Sequence, residues 1–495
     1  MRNSPHTVVA PFKMRFTEKG IIKDIKKIIV RIDGLPSCLN GQIIDLGDQN
    51  RAIVMGFNEQ DVLALILGDE SKVRMGQAAS GASEPFTIPV GDALLGRMVD
   101  GLGQRCDDGP PIETTEQLQV FSPSPLITER APVDQPLLMG TKVVDALVAV
   151  GKGQRLLILG DRMTGKTVIA TDALLNQLGR NVIGIYCCVG KSVSALEKVV
   201  GTLAEKGALS QTVVVAATDN ASVGEQYIAP FVAATIGEHF MRHGRDVLVV
   251  FDDLTKHAWA YRQLSLLLER PPGREAYPGD IFYIHTQLME RAGRLNAANS
   301  GGSMTFLGVA DTLQGDLTGY IPSNLISMCD GQICLTTALF SEGHRPAIDF
   351  GLSMSILGGK AQLPVLRELS STLRVEFLQY SELLRLSKLQ SGVSREAERI
   401  LKKGAAILAI LQQTQNRPAP VREQVLLLYA LREGRLTDLA PDERTRFKEA
   451  ICSFAAERDE GLLQEFDETG TLTPEREARL RRIMDDYFGA AAPGG

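Results

Sequence analysis

The chain has 495 residues, of which 23% are charged and 44% hydrophobic, and its 53 basic against 59 acidic side chains give a net charge of −6. This composition excludes a disordered polyelectrolyte and argues against a general nucleic-acid binder, while a length prior of about 150 residues per domain predicts about three domains. Its seven cysteines (38, 106, 187, 188, 329, 334 and 452) form no CxxC pair and no zinc-like spacing, so a reduced, cytosolic chain without a disulfide framework or cysteine metal site is expected.

Between residues 16 and about 80, the runs IIVRI, GQIIDL, RAIVMGF, VLALIL and KVRM are separated by Gly, Asp and Asn. Short β-rich runs broken by turn residues predict an N-terminal β-barrel domain over 1–80. Over 81–360 the pattern changes to continuous apolar strands, RLLIL at 155, NVIGIY at 181, TVVVAAT at 212 and DVLVVF at 246, alternating with helix-length segments. A mostly parallel sheet covered on both faces is predicted there. After Pro364, Leu366, Leu369, Leu373, Phe377, Tyr380 and Leu384 recur at steps of three or four, which predicts a helical C-terminal domain over 361–495. The tail AAAPGG is expected to fray. The first residues lack a signal-peptide core and no apolar run is long enough for a bilayer span, so membrane attachment is expected only through partners.

One octet carries specific chemistry. Gly160, Asp161, Arg162, Met163, Thr164, Gly165, Lys166 and Thr167 match GxxxxGK[ST], after a strand-like RLLIL and before a helix-like TVIATDALLNQL. Glycines let backbone N–H groups close around phosphate oxygens at a helix N-terminus, Lys166 adds a cation, and the Thr167 hydroxyl can ligate magnesium. Downstream, the strand VLVVF ends in Asp252 and Asp253. A carboxylate there can hold magnesium through water. Asp252, the first residue past the apolar run, is the expected one; a register error of one residue would make it Asp253.

The strings IPVGDALLGRMVDGLG (88–103), GDRMTGKT, AYRQLSLLLER (260–270) and RPPGREAYPGD (270–280) resemble the alpha subunit of the F-type rotary ATP synthase, and the resemblance runs from about residue 20 to near the C-terminus. It implies a multi-domain α/β fold with an N-terminal β-barrel, a central RecA-like phosphate-loop domain and a C-terminal helical bundle. It also implies a ring in which alpha- and beta-type subunits alternate around a gamma-type central stalk, placed at the cytoplasmic face of a membrane ion-conducting sector. ATP or ADP with Mg2+ would occupy the sites, those built mainly on alpha binding nucleotide without turning it over. The family's base and ribose residues fall on Phe340, Arg345, Gln413 and Gln415.

That division can be argued from the residues themselves. Hydrolysis needs a group that activates the attacking water, and hydrolytic relatives place a glutamate just after the strand next to the loop. After NVIGIYCCVG this chain has Lys191, where alpha subunits usually have glutamine. An ammonium ion cannot accept the water's proton. Glu197 lies farther on and is expected on the surface of the next helix; Lys191 is expected to be either a solvated loop residue or a phosphate contact.

The chain departs from the family at three points. Alpha subunits extend an arginine finger from S-x-S-R-x-G, but here the segment is Ser353-Met354-Ser355-Ile356-Leu357-Gly358. Such fingers are worth roughly 10³ to 10⁵ in rate, and Ile356 supplies neither charge nor hydrogen bond. Lys360 and Arg367 are the nearest other cations, and Ser353 matches a serine the family needs for activity. Met163 replaces the usual glutamine inside the phosphate loop. Pro5 and Pro11 break the short N-terminal stretch, so no helix for docking the peripheral stalk is expected. The leading reading is thus a divergent, non-catalytic alpha-type subunit with an impaired finger. A self-contained hexameric ATPase would need its own glutamate and arginine; a pseudo-ATPase that binds ATP as a structural ligand in assembly or regulation would need neither.

Overall fold

A computed structural model describes residues 17–47, 50–58, 60–68, 70–387 and 394–490. The N-terminal stretch with Pro5 and Pro11 and most of the AAAPGG tail lie outside the described residues.

Six antiparallel strands, β1 (Thr17–Lys26), β2 (Ile29–Asp33), β3 (Gln42–Gly47), β4 (Asn50–Phe57), β5 (Val62–Leu67) and β6 (Ala78–Pro85), close into a barrel in the order β1-β2-β5-β4-β3-β6. Val30, Ile32, Ile44, Leu46, Val54 and Ile66 fill its interior, as the two-residue period of a strand requires. The alternate residues Ile29, Ile53, Leu65 and Leu67 point outward yet are also buried, because they join the core of the next domain. KVRM, expected as a strand, instead follows a short 3-10 turn, with Val73 plugging the barrel. The closing strand is the weakly apolar AASGASEP, which runs across residue 80. Its small residues suit a crowded wall: a Cβ on Gly81 would lie 3.0 Å from Cys38 Sγ.

The central region carries β7 (Thr87–Val90), β8 (Met98–Asp100), β9 (Glu116–Gln119), β10 (Arg155–Gly160), β11 (Val182–Val189), β12 (Thr212–Ala217), β13 (Asp246–Asp252), β14 (Gly293–Arg294), β15 (Ser303–Asp311), β16 (Gly331–Leu335) and β17 (Met354–Ser355). β7 and β9 pair with each other. The rest form one sheet in the order β17-β16-β10-β15-β13-β11-β12-β8, with β14 on β15. From β16 through β8 every neighbour is parallel. Every residue of β11 is buried, which is how a strand covered on both faces reads in sequence. Helices α1 (Lys142–Leu147), α2 (Lys166–Leu175), α3 (Val193–Glu205), α4 (Val223–Arg242), α5 (Leu254–Leu267), α6 (Ile281–Met289), α7 (Tyr320–Met328) and α8 (Thr337–Ser341) connect or cover it. The carboxyl ends of β10, β13 and β15 therefore lie side by side, the usual position for a ligand in such sheets. The barrel docks on α4, where a Cβ on Gly224 would come within 2.8 Å of Leu65.

The C-terminal region is helical: α9 (Pro364–Ser370), α10 (Leu373–Ser387), α11 (Arg395–Leu411), α12 (Val421–Arg432), α13 (Pro441–Thr469) and α14 (Pro474–Ala490). The leucine stripe is divided between α9 and α10, yet Leu366, Leu369, Leu373 and Phe377 stay in one core, which they share with α1 and α2. Among the described residues, no helix is long and apolar enough to cross a membrane.

A buried ion pair ties α4 to the end of α6. Arg291 and Glu238 are 0% and 3% exposed, and Arg291 Nε donates to Glu238 Oε1 at 2.6 Å. The other guanidinium nitrogens reach Val120 O at 2.9 Å and Thr235 Oγ1 at 2.8 Å, and Ser122 Oγ donates to Glu238 Oε2 at 2.9 Å. Removing one partner of such a pair costs about 3–5 kcal/mol, because the other charge stays buried and unpaired. Arg291→Met is therefore expected to lower the denaturation midpoint sharply in thermal or urea melts, with Arg291→Lys retaining part of the loss.

Candidate functional site

The phosphate loop leaves the sheet at Gly160, where a Cβ would collide with Leu335 O at 2.7 Å, and enters α2 through Gly165 at φ 101°. Only glycine adopts that left-handed backbone without cost. The loop is braced from behind. The Asp161 carboxylate accepts from Thr312 Oγ1 at 2.7 Å, Gly315 N at 2.9 Å and Thr337 Oγ1 at 2.8 Å, while Thr164 Oγ1 donates to Asp161 O at 2.8 Å. Lys166 Nζ donates to Gly160 O at 2.8 Å and Asp161 O at 2.6 Å and lies 3.1 Å from Asp311 Oδ1. Arg162 is exposed and pairs with the same carboxylate at 3.3 Å. Met163, at φ 64°, turns its side chain outward to 90% exposure. Asp161 and Thr164 thus hold the loop's shape, and Lys166 is the member that can turn to a phosphate.

Asp252 ends β13 with no exposed surface. Its Oδ2 accepts from Thr167 Oγ1 at 2.8 Å and from Tyr186 OH at 2.9 Å. Its Oδ1 forms an ion pair with Lys191 Nζ, and the same ammonium donates to Thr167 Oγ1 at 2.7 Å. Burial, reinforced by the Asp252 charge, pushes the Tyr186 hydroxyl well above its ordinary range. Asp253 instead caps α5, accepting from Lys256 N at 2.7 Å. Burial, with Asp311 and Asp252 close by, raises its carboxyl to about 7.

Thr167 and Asp252 are therefore brought together as the sequence predicts, but a third group joins them. Lys191 is neither solvated loop nor directed at open space: its side chain is 20% exposed and bonds both residues expected to serve magnesium. A threonine hydroxyl has one donor hydrogen and two lone pairs, and here the hydrogen goes to Asp252 and one lone pair accepts from Lys191. In this arrangement the pair does not fit a magnesium ion, because a divalent cation on the remaining Thr167 lone pair would stand directly beside the ammonium ion that contacts both would-be ligands. Glu197 lies exposed on α3.

Beside the loop a cavity of about 620 Å³ opens between α2 and the segments 340–346 and 412–415, lined by Met163, Gly165, Ile169, Asp172, Phe340, Arg345, Gln413, Gln415 and Lys448 among others. The Arg345 guanidinium stands 3.5 Å from the Phe340 ring centroid and donates to Phe340 O at 2.7 Å. Gln413 spends its side chain on backbone, accepting from Lys142 N at 3.0 Å and donating to Gly140 O at 2.8 Å. Gln415 is exposed at the rim. Phe340, Arg345, Gln413 and Gln415 thus share one cavity with the loop.

Ser353 requires a correction. It is 0% exposed, and its hydroxyl accepts the N–H of Cys334 in β16 at 2.9 Å while Arg374 donates to its carbonyl at 2.8 Å. A hydroxyl consumed inside the sheet edge cannot touch reacting atoms, so its part is to hold the segment after Asp349. Ile356, three residues on, projects to 72% exposure. Lys360 and Arg367 are exposed nearby, with Arg367 donating to Gly359 O at 3.4 Å.

Sequence reasoning missed Asp311, Tyr186 and Asp172. Asp311 ends SMTFLGVAD as Asp252 ends DVLVVFD, so the same signal of an acid after an apolar strand was present. Asp172 had none, being one polar residue within a helix.

Asp172 is 5% exposed and its Oδ1 has no hydrogen-bond partner. Burial raises its carboxyl from 3.8 to about 7. A carboxyl with a raised folded-state pKa is bound to its proton more tightly in the folded chain, so its stabilising contribution is full below about 3.8 and is lost as pH rises through about 7. Asp172→Asn, which stays neutral, is expected to gain on the wild type in melting temperature by more at pH 8 than at about pH 5, because the wild type loses its contribution progressively between those values; an equal difference at both values would contradict this.

Comparisons with known proteins agree with this geometry. Residues 140–355 match the nucleotide-binding domain of the ATP synthase alpha/beta family, and residues 362–487 match the C-terminal domain of the ATP synthase alpha/beta chain. The ATP synthase subunit alpha of Clostridium botulinum strain Eklund 17B / Type B is 39% identical over 475 residues, covering 96% of this chain and 94% of its own. The protein of the same name from strain Hall / Type A is 40% identical over 470 residues, covering 95% and 93%. With both domains matched and alpha subunits aligned along nearly its whole length, the chain belongs to the ATP synthase alpha/beta family.

Proposed function

We propose that the chain is an alpha-type subunit of a rotary ATP synthase or ATPase, and that its own site binds ATP or ADP without turning it over. The observation that carries the second half is Lys191. The position after β11, where a water-activating carboxylate would stand, holds an ammonium bonded to Asp252 and Thr167. Asp252 is occupied by Thr167, Tyr186 and Lys191, and Asp253 by the N-terminus of α5. Neither is placed to accept a proton from water. The braced loop, Lys166 and the cavity holding Phe340 and Arg345 support nucleotide binding. In this reading beta-type subunits alternate with the chain around a gamma-type stalk, peripheral to a membrane sector that conducts protons.

The exposed Ile356 supports a weakened contribution across the ring. A residue projecting from the sheet edge at 72% exposure is available to a neighbour, but an aliphatic group cannot stabilise the charge of a transferring phosphoryl group. Reconstituted with beta- and gamma-type subunits, the wild type is expected to hydrolyse ATP slowly, and Ile356→Arg to raise turnover by about 10²-fold or more, toward the roughly 10³ to 10⁵ such fingers supply. Fast wild-type turnover that Ile356→Arg leaves unchanged, and that Lys360→Ala or Arg367→Ala abolishes, would mean another cation does this work. The isolated chain is expected to bind ATP with no turnover; hydrolysis by the chain alone would overturn the non-catalytic reading.

A further inference from the structure

We infer that the Lys191 ammonium replaces magnesium at this chain's nucleotide site, so that the site takes the metal-free nucleoside triphosphate or diphosphate. This rests on the nucleotide-binding reading above and adds which ionic form of the ligand is bound.

The geometry is specific. Lys191 leaves the carboxyl end of β11, directly beside β13 in the sheet. From there its Nζ reaches Asp252 Oδ1 as an ion pair and Thr167 Oγ1 at 2.7 Å. These are the hydroxyl and the carboxylate between which a phosphate-loop protein holds its metal. A magnesium ion requires oxygen ligands at about 2.0–2.1 Å in a near-octahedral shell. To bind here it would have to use the remaining lone pair of Thr167 Oγ1 and stand beside a second cation, the Lys191 ammonium. The Asp252 carboxylate is fully buried and already balanced by Lys191, with Tyr186 OH and Thr167 Oγ1 on its other oxygen. Among the described residues, no further carboxylate pairs with Lys191 Nζ to compensate two added charges; Asp311 is engaged by Lys166 and Arg162.

The surroundings suit an ammonium ion. An –NH3+ group has three donor hydrogens and no acceptor. Thr167 accepts one of them and Asp252 pairs with the ammonium by charge, which leaves a donor for a phosphate oxygen at the loop. Lys191 then offers a donor on the side of the loop opposite Lys166, where the metal would otherwise stand.

Isothermal titration of the full-length chain with ATP, in MgCl2 and in EDTA, tests this. The wild-type dissociation constant is expected to change by less than about threefold between the two conditions, whereas Lys191→Gln, which removes the ammonium and frees Thr167 Oγ1, is expected to bind about tenfold or more tightly with magnesium than without. Wild-type affinity falling tenfold or more in EDTA would overturn the inference while leaving the nucleotide site standing. So would a Lys191→Gln protein as indifferent to magnesium as the wild type. Failure of the folded wild type to bind ATP in either condition would instead overturn the nucleotide-binding reading itself.

Discussion

The carboxylate of Asp252 sets the constraint on which the site depends. A fully buried charge is tolerated only when it is paired and hydrogen-bonded. Here the partners come from three places: Thr167 at the start of α2, Tyr186 within β11 and Lys191 just after β11. Satisfying one carboxylate thereby fixes the phosphate loop against two adjacent strands. The loop's other side is fixed in the same way by Asp161, whose oxygens bind Thr312, Gly315 and Thr337. Two acids, one at each end of the loop, therefore supply much of the rigidity a phosphate cradle requires.

The same accounting separates residues that shape the site from those that face a ligand. Ser353, Gln413, Asp161 and Thr164 all resemble ligand contacts when read from a motif, but each spends its polar atoms within the chain. Arg345, Phe340 and the rim residue Gln415 border the cavity. The segment after Asp349 shows the contrast within a few residues: Ser353 is locked into the edge of β16, which leaves Ile356 as the side chain presented outward.

The three regions also share material. Outward residues of the barrel such as Leu65 complete the core beneath α4, and Leu366, Leu369 and Phe377 complete the one beneath α2. The C-terminal helices and the helix that begins at Lys166 therefore belong to one core, in which α9 packs on α1. This is a mechanical link between the helical region and the nucleotide loop made of packing alone, and close-packed interiors transmit strain.

Much of this was legible in consecutive residues. Short β-rich runs bounded by turn residues identified four of the barrel strands, unbroken apolar runs identified β10, β11, β12 and β13, and the octet from Gly160 to Thr167 identified the loop. Where the sequence misled, the cause was local: KVRM has strand-like composition but serves as a plug, and AASGASEP has little apolar content but closes the barrel because small side chains fit there. By itself the sequence determined the succession of elements, the family and the presence of a lysine where a glutamine or glutamate is usual. Only the tertiary structure decided what that lysine does, since its partners lie 24 residues away in one case and on a neighbouring strand in the other. A motif is written along the chain, whereas the partner of a buried charge is set by which strand ends the sheet brings side by side.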